Sequence, residues 1–389
     1  MKRGFYQGIG VNVILLGLVS FINDVSSDMI FAVIPLFIAS LGGAGIAVGL
    51  IGGLGDSVAG ILKVFSGFWS DKSGKRGPFI FWGYFTSALA KLFFPFSRSW
   101  PNLALLVPIE RTGKGLRTAP RDALIAVSSS SEVKGRAFGF HRALDSLGAF
   151  LGASGAFVLF WFLGLGLRPI LLIAAGIGFF TLIPLVFVKE KIAQPQKRSF
   201  IISLKKLPIN FKRYLLAAVV FALGNFTYMF FILKSKGVFE ELFSPRFATA
   251  LPILLYVWFS IIHALFSIPA GIISDKLGRK KTIIMGYGLY SFTCLSFALA
   301  NSLGQFILLF ALYGLSFALI EGNQRAYASD FVAGDSSGTA LGTFHTCVSL
   351  AVLPAGIIAG ILWSFNPALA FIYGALLTGS SIPLLARVK

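Results

Sequence analysis

Ionisable side chains lie inside apolar stretches of this sequence, where a charge is costly and therefore suggests a function. Asp24 and Asp28 are four residues apart and would share one face of a helix, and His141 and Asp145 have the same spacing. Carboxylates of this kind can bind and release protons or hold a polar solute. The candidates for these roles are Asp24, Asp28, Asp56, Glu110, Arg111, Lys114, Arg117, Asp145, Glu321 and Asn225.

Proton exchange is the chemistry that such carboxylates could perform. Burial in a dry cavity favours the neutral form of a carboxylate, whereas a nearby guanidinium favours the charged form. A carboxylate that meets Arg111 in only one conformation would therefore bind and release a proton as the conformation changes. Asp24 or Asp28 is the first candidate for this carboxylate, and Asp145 is the second.

Internal ion pairing is the alternative role for the same residues. Glu110 could pair with Lys114, and Asp145 with Arg142, so that the pairs hold neighbouring helices together. Charged residues near the ends of the apolar stretches should form pairs of this kind. They are Arg121, Asp122, Arg142 and Arg325.

The elements that would position these side chains are long apolar helices. The chain has 389 residues, of which 56% are hydrophobic and 13% charged, whereas about a quarter are charged in a soluble domain. A membrane span needs about 20 apolar residues, and only helices and closed barrels satisfy the backbone inside lipid. The apolar stretches are too long for barrel strands, and we predict an all-α membrane protein of about twelve spans. The predicted spans are 11–40, 45–69, 78–97, 101–126, 136–163, 168–188, 214–235, 247–273, 281–300, 303–327, 337–363 and 366–386.

The net charge of +19 is explained by membrane topology and not by a nucleic-acid partner. Lys and Arg cluster in alternate connections and at both ends of the chain, which is the pattern of cytoplasmic loops. We expect an uncleaved multi-pass protein of the inner (plasma) membrane with both termini cytoplasmic, surrounded by lipid and monomeric. Cys294 and Cys347 fall within apolar stretches, so they indicate neither a disulfide framework nor a metal motif, and no cofactor is expected.

An internal repeat divides the sequence into two halves. GFWSDKSGKR at 67–76 recurs as GIISDKLGRK at 271–280, displaced by 204 positions, and the same displacement relates Arg121 to Arg325. Repeated halves are typical of secondary transporters, with the site between them. We predict six-helix bundles at 1–190 and 214–389, joined by a basic cytoplasmic linker at 191–213.

The repeated decapeptide resembles the signature loop of the major facilitator superfamily, which follows the second helix of each half. RTGKGLRTA at 111–119 resembles a further motif of that superfamily, with Lys114 and Arg117 at positions usually held by Gln and Gly. GAFLGASG at 148–155 is similar to the glycine-rich antiporter motif, with Ala153 where Pro is usual. The nearest resemblance is to the drug/proton antiporter branch.

The resemblance implies two six-helix bundles and a gating role for the signature loops. In such a gate each loop Asp pairs across the bundle in one state and is released in the other. The alternative is a solvated loop in which the glycines only make the turn. The residues concerned are Gly67, Asp71, Gly74, Arg76, Gly271, Asp275, Gly278 and Lys280.

The function expected from these features is secondary active transport rather than enzymatic catalysis, since the sequence contains no nucleophile elbow, phosphate loop or zinc-ligand spacing. We expect proton-coupled efflux of a small organic or amphipathic solute by alternating access. Export of a divalent metal ion, with His141, His345 and the carboxylates as ligands, and translocation of a lipid are the alternatives. The second half has few charges and many of the 41 Phe, which favours packing but would also suit an amphipathic solute.

Overall fold

The computed structural model describes residues 10–129, 133–190, 207–331 and 337–388, and these residues form helices joined by short connections. The helices are α1 (Val11–Ser40), α2 (Gly45–Ser73), α3 (Gly77–Phe93), α4 (Trp100–Val127), α5 (Lys134–Trp161), α6 (Leu167–Phe180), α7 (Leu182–Val186), α8 (Ile209–Gly224), α9 (Met229–Leu242), α10 (Pro245–Leu277), α11 (Arg279–Leu299), α12 (Leu303–Asp330), α13 (Ser337–Phe365) and α14 (Pro367–Ala386). A short 3-10 turn, Phe94–Phe96, follows α3.

Eleven helical segments within the described ranges are long and apolar enough to cross a membrane. Two of these segments combine neighbouring helices, α6 with α7 and α8 with α9. The helix α4 has 28 residues, which is also long enough, but the charges between Glu110 and Asp122 make it too polar to be recognised by composition. With α4 included, the segments match the predicted spans, and the prediction of an all-α membrane protein with about twelve spans is confirmed.

The segment formed by α8 and α9 is interrupted in its middle. The α-helix ends at Gly224, and Asn225 leaves the helical conformation with φ −93° and ψ 78°. Gly and Asn are weak helix formers, so the sequence favours a break here. The freed backbone groups have partners, since the Asn225 N–H donates to the Phe221 carbonyl (2.9 Å) and the Tyr373 hydroxyl donates to the Leu223 carbonyl (2.7 Å). Non-helical backbone at membrane depth requires such partners.

The chain forms two compact units. Unit 1 comprises Met1–Val33, Val58–Ser97 and Leu105–Ser199, and unit 2 comprises Ile34–Ser57, Arg98–Ala104 and Phe200–Lys389. The predicted halves therefore supply most of each unit, but the turn between α1 and α2, with the adjoining ends of these helices, belongs to unit 2. The linker predicted at 191–213 lies outside the described residues from 191 to 206. The predicted domain boundaries stay a prediction.

Close backbone packing explains why the start of α2 belongs to unit 2. Gly49 of α2 lies against Gly356 of α13 so closely that a Cβ atom on either residue would overlap the other's carbonyl oxygen. Farther along α2, the Ser57 hydroxyl donates a hydrogen bond to the Ser349 carbonyl (2.6 Å). Small residues permit this approach of helix backbones inside a membrane.

Aromatic rings fill the core of unit 2. Phe231 of α9 stacks on Tyr313 of α12 with ring centroids 4.2 Å apart. Its edges meet Phe297 of α11 at 4.8 Å and Phe371 of α14 at 5.1 Å. These rings are buried, so they are packing residues, as the sequence favoured. Aromatic pairs at these separations contribute beyond the area they bury.

Candidate functional site

The close approach of α1 and α5 builds one side of the candidate site in unit 1. A Cβ atom added at Gly148 would overlap the Phe21 carbonyl, and one added at Gly152 would overlap the Val25 carbonyl. These are the glycines of the antiporter-like motif, so their lack of side chains has a direct use in packing. Because the helices touch here, Asp24 of α1 lies beside the Gly148 turn, and its charge acts on Asp145 of α5.

The two carboxylate oxygens of Asp145 have different surroundings. Its Oδ2 lies 3.4 Å from Nδ1 of His141 and 3.7 Å from Nη1 of Arg142. Its Oδ1 is buried and has no hydrogen-bond partner among the described residues. The Asp145 side chain is 14% exposed, whereas Arg142 is 63% exposed. The predicted pair of Asp145 with Arg142 is therefore present, but the guanidinium approaches from the surface.

A hydrogen-bonded junction on Ser20 joins four helices. The Ser20 hydroxyl on α1 lies 2.9 Å from Nε2 of His141 on α5 and 3.1 Å from the Tyr84 hydroxyl on α3. Arg121 on α4 donates to the same oxygen from Nη1 (2.9 Å). The Arg121 guanidinium also pairs with Asp122, with Nη2 3.0 Å from Oδ1. The side chains of Ser20, Tyr84 and His141 are almost completely buried.

Lys91 is a buried cation between α3 and α1. Only 1% of it is exposed, and its ammonium donates to the hydroxyl groups of Ser27 (2.8 Å) and Ser26 (3.1 Å) and to Asn23 Oδ1 (3.4 Å). The carboxylates of Glu110, Asp24 and Asp28 act on its charge. Several opposite charges and hydrogen bonds make such burial tolerable.

Arg117 is a second buried cation, held from α4 against α3. Its Nη1 donates to the Ser87 hydroxyl (2.6 Å), its Nη2 donates to Asn23 Oδ1 (3.4 Å), and its guanidinium lies 4.4 Å above the centre of the Tyr84 ring. Asn23 thus presents its oxygen to both cations. Its amide nitrogen donates to Asp24 Oδ1 (2.9 Å), so the two cations orient the amide that binds the carboxylate.

Glu110 and Arg111 form a further buried pair on α4. Nε of Arg111 lies 3.6 Å from Oε2 of Glu110, and the guanidinium lies 4.5 Å above the centre of the Phe31 ring on α1. Lys114, the predicted partner of Glu110, is exposed and acts on its charge more weakly than Arg111 does. The carboxylate therefore has its main counterion one residue away rather than four.

The structure brings together only part of the predicted set. The connected polar interior of unit 1 contains Asp24, Asp145, Glu110, Arg111 and Arg117. Asp28 acts electrostatically on Lys91, which belongs to the same interior. Asp56, Asn225 and Glu321 belong to unit 2. No observation assigns a role in binding or coupling to any single residue, so those roles stay predictions.

Unit 2 has a smaller polar cluster between α10 and α12. Glu321 receives a hydrogen bond from Arg325 Nη2 (2.6 Å) and lies 3.5 Å from Nε2 of His263. All three side chains are partly exposed, between 30% and 45%. The ring of His263 is nearly parallel to that of Phe259, at 6.1 Å. Arg325, which was predicted to form an ion pair, is therefore paired with Glu321 on the same helix.

The first signature loop is held by its own ion pair and by a helix cap. Nη2 of Arg76 lies 3.8 Å from Oδ1 of Asp71, and Gly74 makes the turn with φ +69°. The Glu190 carboxylate accepts the backbone N–H groups of Arg76 (3.1 Å) and Gly77 (2.6 Å) at the start of α3. A carboxylate at a helix N-terminus is favoured by the helix dipole.

The second signature loop has the same turn but different contacts. Gly278 has φ +90°, and Asp275 is exposed. Arg279 donates to Asp330 (2.5 Å) on α12, and Lys280 donates to the Ala386 carbonyl (2.7 Å) near the end of the chain. The two loops therefore share a glycine turn, and they differ in the residues that they contact. Their gating role stays a prediction.

Sequence reasoning missed several residues of the polar interior. Lys91 lies in an apolar stretch, and the rule that makes intramembrane charges candidates would have found it. Ser20, Asn23 and Tyr84 have no such signal, because neutral polar side chains are common in spans and their importance depends on their neighbours. His263 was also missed. Within the described ranges, no group of three or more His, Cys, Asp or Glu side chains lies close enough to hold a metal ion.

Comparison with known proteins identifies the family. A family model described as Major Facilitator Superfamily matches residues 16–243 and 215–388. The chain belongs to the major facilitator superfamily. It is 45% identical over 367 residues to an uncharacterized MFS-type transporter of Methanocaldococcus jannaschii, and the match covers 94% of this chain and 92% of that relative. It is 24% identical over 366 residues to an uncharacterized protein of Mycobacterium tuberculosis, covering 91% and 87% of the two chains.

Solved structures of this superfamily share the fold. The nucleoside transporter NupG, in a mutant form, superposes with a TM-score of 0.78 at 14% identity, covering 97% of this chain and 98% of that one. A bacterial homolog of the human lysosomal transporter Spinster, in an inward-facing and unoccupied conformation, gives 0.67 at 14% identity, covering 100% and 96%. The human organic anion transporter MFSD10 gives 0.64 at 15% identity, covering 99% and 100%. As a member of this superfamily, the chain is a multi-pass membrane transporter and not an enzyme.

Proposed function

We propose that this transporter couples the efflux of a small organic or amphipathic solute to the proton gradient by alternating access, and that Asp145 carries the coupling proton. The observation that supports this proposal is the pair of carboxylates, Asp24 and Asp145, in the polar interior of unit 1 where α1 and α5 touch. Two carboxylates in one dry region retain a proton more readily than an isolated one, because both cannot easily be charged.

The surroundings of the two carboxylates favour Asp145 as the group that takes the proton. Asp24 accepts a hydrogen bond from the Asn23 amide, which Lys91 and Arg117 orient, and such a bond stabilises the charged form. Asp145 has an unpartnered oxygen, and Arg121, the nearby buried cation, is paired with Asp122. This reverses the order of the sequence-based candidates, in which Asp24 or Asp28 came before Asp145.

The location and the motion follow from the pattern of charges and from the loops. Lys and Arg in alternate connections support a position in the inner (plasma) membrane with both termini cytoplasmic. The turns at Gly74 and Gly278 support loops that keep one shape while their ionic contacts change, as a gate between two states requires. Asp71 and Asp275 are the residues whose contacts would change.

The class of solute is suggested by the structural neighbours and by unit 2. NupG is a nucleoside transporter and MFSD10 an organic anion transporter, and nucleosides and organic anions are both organic solutes. In unit 2 the partly exposed Glu321, Arg325 and His263 adjoin the Phe259 ring, so polar and aromatic groups meet at one surface. Polar and aromatic groups together suit a solute with a planar ring and polar groups.

Transport into proteoliposomes with an imposed pH gradient tests this proposal. Radiolabelled uridine, fluorescein and ethidium serve as a nucleoside, an organic anion and an organic cation. We expect at least one of them to move faster with the gradient than without it, and to lose that acceleration in Asp145→Asn. Glu240→Gln is the matched control, because Glu240 pairs with Lys236 at the exposed end of α9.

Two results would contradict the proposal. Transport of a solute at a rate independent of the pH gradient in the unaltered protein would remove proton coupling. Gradient-driven transport that persists in Asp145→Asn would remove Asp145 as the proton carrier. In that case Asp24→Asn and Asp28→Asn, measured in the same assay, would show whether the carrier is on α1.

A further inference from the structure

The hydrogen bonds around Ser20 limit where the protons of Ser20, Tyr84 and His141 can lie. A serine hydroxyl has one proton to donate and two lone pairs to accept with. It has three partners here, namely Arg121, Tyr84 and His141. The guanidinium of Arg121 can only donate, so it occupies one lone pair. One of the two remaining partners must therefore donate to Ser20, and the other must accept from it.

The proton of the Tyr84 hydroxyl decides between these two arrangements. Among the hydrogen bonds of the described residues, the Tyr84 hydroxyl takes part in the one with Ser20. If Tyr84 donates to Ser20 and Ser20 donates to His141 Nε2, every proton in the junction has an acceptor. If instead His141 donates to Ser20 and Ser20 donates to Tyr84, the junction offers no acceptor for the Tyr84 proton. Tyr84 is 1% exposed, and a buried donor without a partner is costly.

The favoured arrangement also keeps positive charges apart. If His141 donated from Nε2, that N–H would point at the Ser20 oxygen that already receives the Arg121 guanidinium. A cationic imidazole there would place two buried charges of the same sign on one hydroxyl. With Nε2 as an acceptor, a neutral imidazole carries its proton on Nδ1, on the side that faces Asp145.

We infer that His141 is a neutral, Nδ1-protonated positioning residue that holds Oδ2 of Asp145 and leaves Oδ1 as the oxygen that binds the proton. This inference rests on the proposed role of Asp145 as proton carrier. Oδ2 lies 3.4 Å from Nδ1 of His141 and 3.7 Å from Nη1 of Arg142, and these two nitrogens favour negative charge rather than a proton on that oxygen. Oδ1 faces no donor among the described residues. A proton from water binds Oδ1 and is later released to water, and His141 gains and loses none.

The groups that act on Asp145 come from three helices. They are Asp24 of α1, Arg121 and Asp122 of α4, and Arg142 beside it on α5. Arg121 and Arg142 are also the charges that act on His141. Arg121 therefore acts on both the imidazole and the carboxylate.

Nitrogen NMR of histidine tests this inference without a transport assay. The chain has three histidines, so protein labelled with 15N in histidine gives few ring signals, and His141→Gln identifies those of His141. We expect a protonated Nδ1 and an unprotonated Nε2 at about pH 5 and also at about pH 8, across the usual range of histidine titration. An Nε2-protonated ring or a doubly protonated ring at either pH would overturn the inference.

Two sets of variants test the cause and the consequence. Ser20→Ala removes the donor to Nε2, so the His141 signal should shift toward the other tautomer, whereas Ser66→Ala, which removes a buried serine hydroxyl from α2, should leave it unchanged. His141→Asn keeps an N–H near the place of Nδ1 and should retain gradient-driven transport within about threefold, while His141→Ala should lose about tenfold.

The outcomes separate this inference from the proposed function. Equal transport in His141→Asn and His141→Ala would overturn the positioning role even if Asp145→Asn abolishes coupling. A His141 tautomer that is unchanged in Ser20→Ala would overturn the junction as its cause. If Ser20→Ala does not fold, the spectrum of the unaltered protein still decides the tautomer. If Asp145→Asn retains coupling, the proposed function fails whatever the spectrum shows.

Discussion

Unit 1 and unit 2 derive from repeated sequences, but their interiors are filled with different chemistry. Unit 1 buries Lys91, Arg117 and Glu110 and connects them through hydroxyl and amide groups. Unit 2 buries stacked aromatic rings around Phe231. The difference shows that one helix arrangement can be held by paired charges or by ring packing. Asp24 and Asp145, the carboxylates of the proposed proton coupling, belong to unit 1.

Equivalent positions in the two units illustrate this difference. The displacement of 204 relates Arg117 to Glu321 and Arg121 to Arg325. Arg117 is buried and bonded to α3, whereas Glu321 and Arg325 bond to each other and are partly exposed. In unit 2 the neighbouring interior contains stacked rings, such as Phe259 and Tyr313 with centroids 4.6 Å apart. The same helix position therefore faces a polar interior in one unit and a more open surface in the other.

Removing the charge of Lys91 should have the largest effect on stability. Lys91→Met keeps most of the side-chain length but leaves Glu110, Asp24 and Asp28 with one counterion fewer. We expect the free energy of unfolding to fall by about 3–5 kcal/mol, as when one partner of a buried pair is removed. Thermal unfolding followed with a thiol-reactive dye, which reports exposure of Cys294 and Cys347, gives the measurement.

A matched surface variant and a double variant sharpen that test. Lys72→Met removes an exposed lysine from the end of α2 and should change stability by less than about 0.5 kcal/mol. Lys91→Met combined with Glu110→Gln should recover part of the loss, because a charge of each sign has been removed. If Lys91→Met is no less stable than Lys72→Met, paired charge does not hold unit 1 together.

Truncating the central ring of unit 2 should have the next largest effect. Phe231→Ala removes the ring that contacts Tyr313, Phe297 and Phe371. We expect a loss of about 3 kcal/mol, the lower end for such truncations, since lipid rather than water surrounds the protein. Phe292→Ala, at an exposed position of α11, is the control for thermal unfolding. Equal losses in the two variants would argue against ring packing as the basis of unit 2.

Removing the charge that caps α3 should have a smaller effect. Glu190→Gln keeps an acceptor for the Arg76 and Gly77 N–H groups but removes the negative charge at the helix N-terminus. The expected loss is about 0.3–1 kcal/mol, and it should decrease as salt is added, because the carboxylate is exposed. Unfolding measured at low and high salt gives both quantities. A loss that does not depend on salt would mean that the charge is not the cause.

Removing single hydroxyl groups from unit 2 should have small effects whose sign depends on whether the hydroxyl has a partner. The Tyr290 hydroxyl is buried without a partner among the described residues, whereas the Tyr214 hydroxyl donates to the Gln324 carbonyl (2.9 Å). Tyr290→Phe should therefore be neutral or slightly stabilising, and Tyr214→Phe should cost about 1 kcal/mol. The pair is compared by thermal unfolding. The reverse order would show that hydrogen bonds, and not the rings alone, determine packing in this unit.

Much of the fold could be predicted because each span carries its own signal. An apolar stretch of sufficient length must be a helix in lipid, whatever its neighbours are, and the predicted stretches agree with the observed helices. The turns at Gly74 and Gly278 were predictable in the same way, since their spacing repeats and their backbone conformation favours glycine. The break after Gly224 was not predicted. A helix can continue through a weak helix former, and whether it does depends on the tertiary partners available to the backbone groups there.

The candidate site was only partly predictable, and the reason is contact between distant segments. Asp24 and Asp145 could be selected from the sequence because charges are rare in spans. The sequence did not show that Gly148 and Gly152 allow their helices to come together. It could not indicate that Ser20 joins His141 and Arg121, since a serine in a helix has no fixed partner. Sequence alone therefore identified which groups could exchange a proton, and the tertiary structure decided which of them share a neighbour.

The sequence by itself determined the membrane helices, the repeat and the concentration of charge in the first half, because these depend on local hydropathy and residue type. Only the tertiary structure decided that Asn23 turns toward two cations, that Asp24 is hydrogen-bonded, and that one oxygen of Asp145 has no partner among the described residues. Such differences depend on distances of a few ångströms between helices, and spacing along the chain does not fix them.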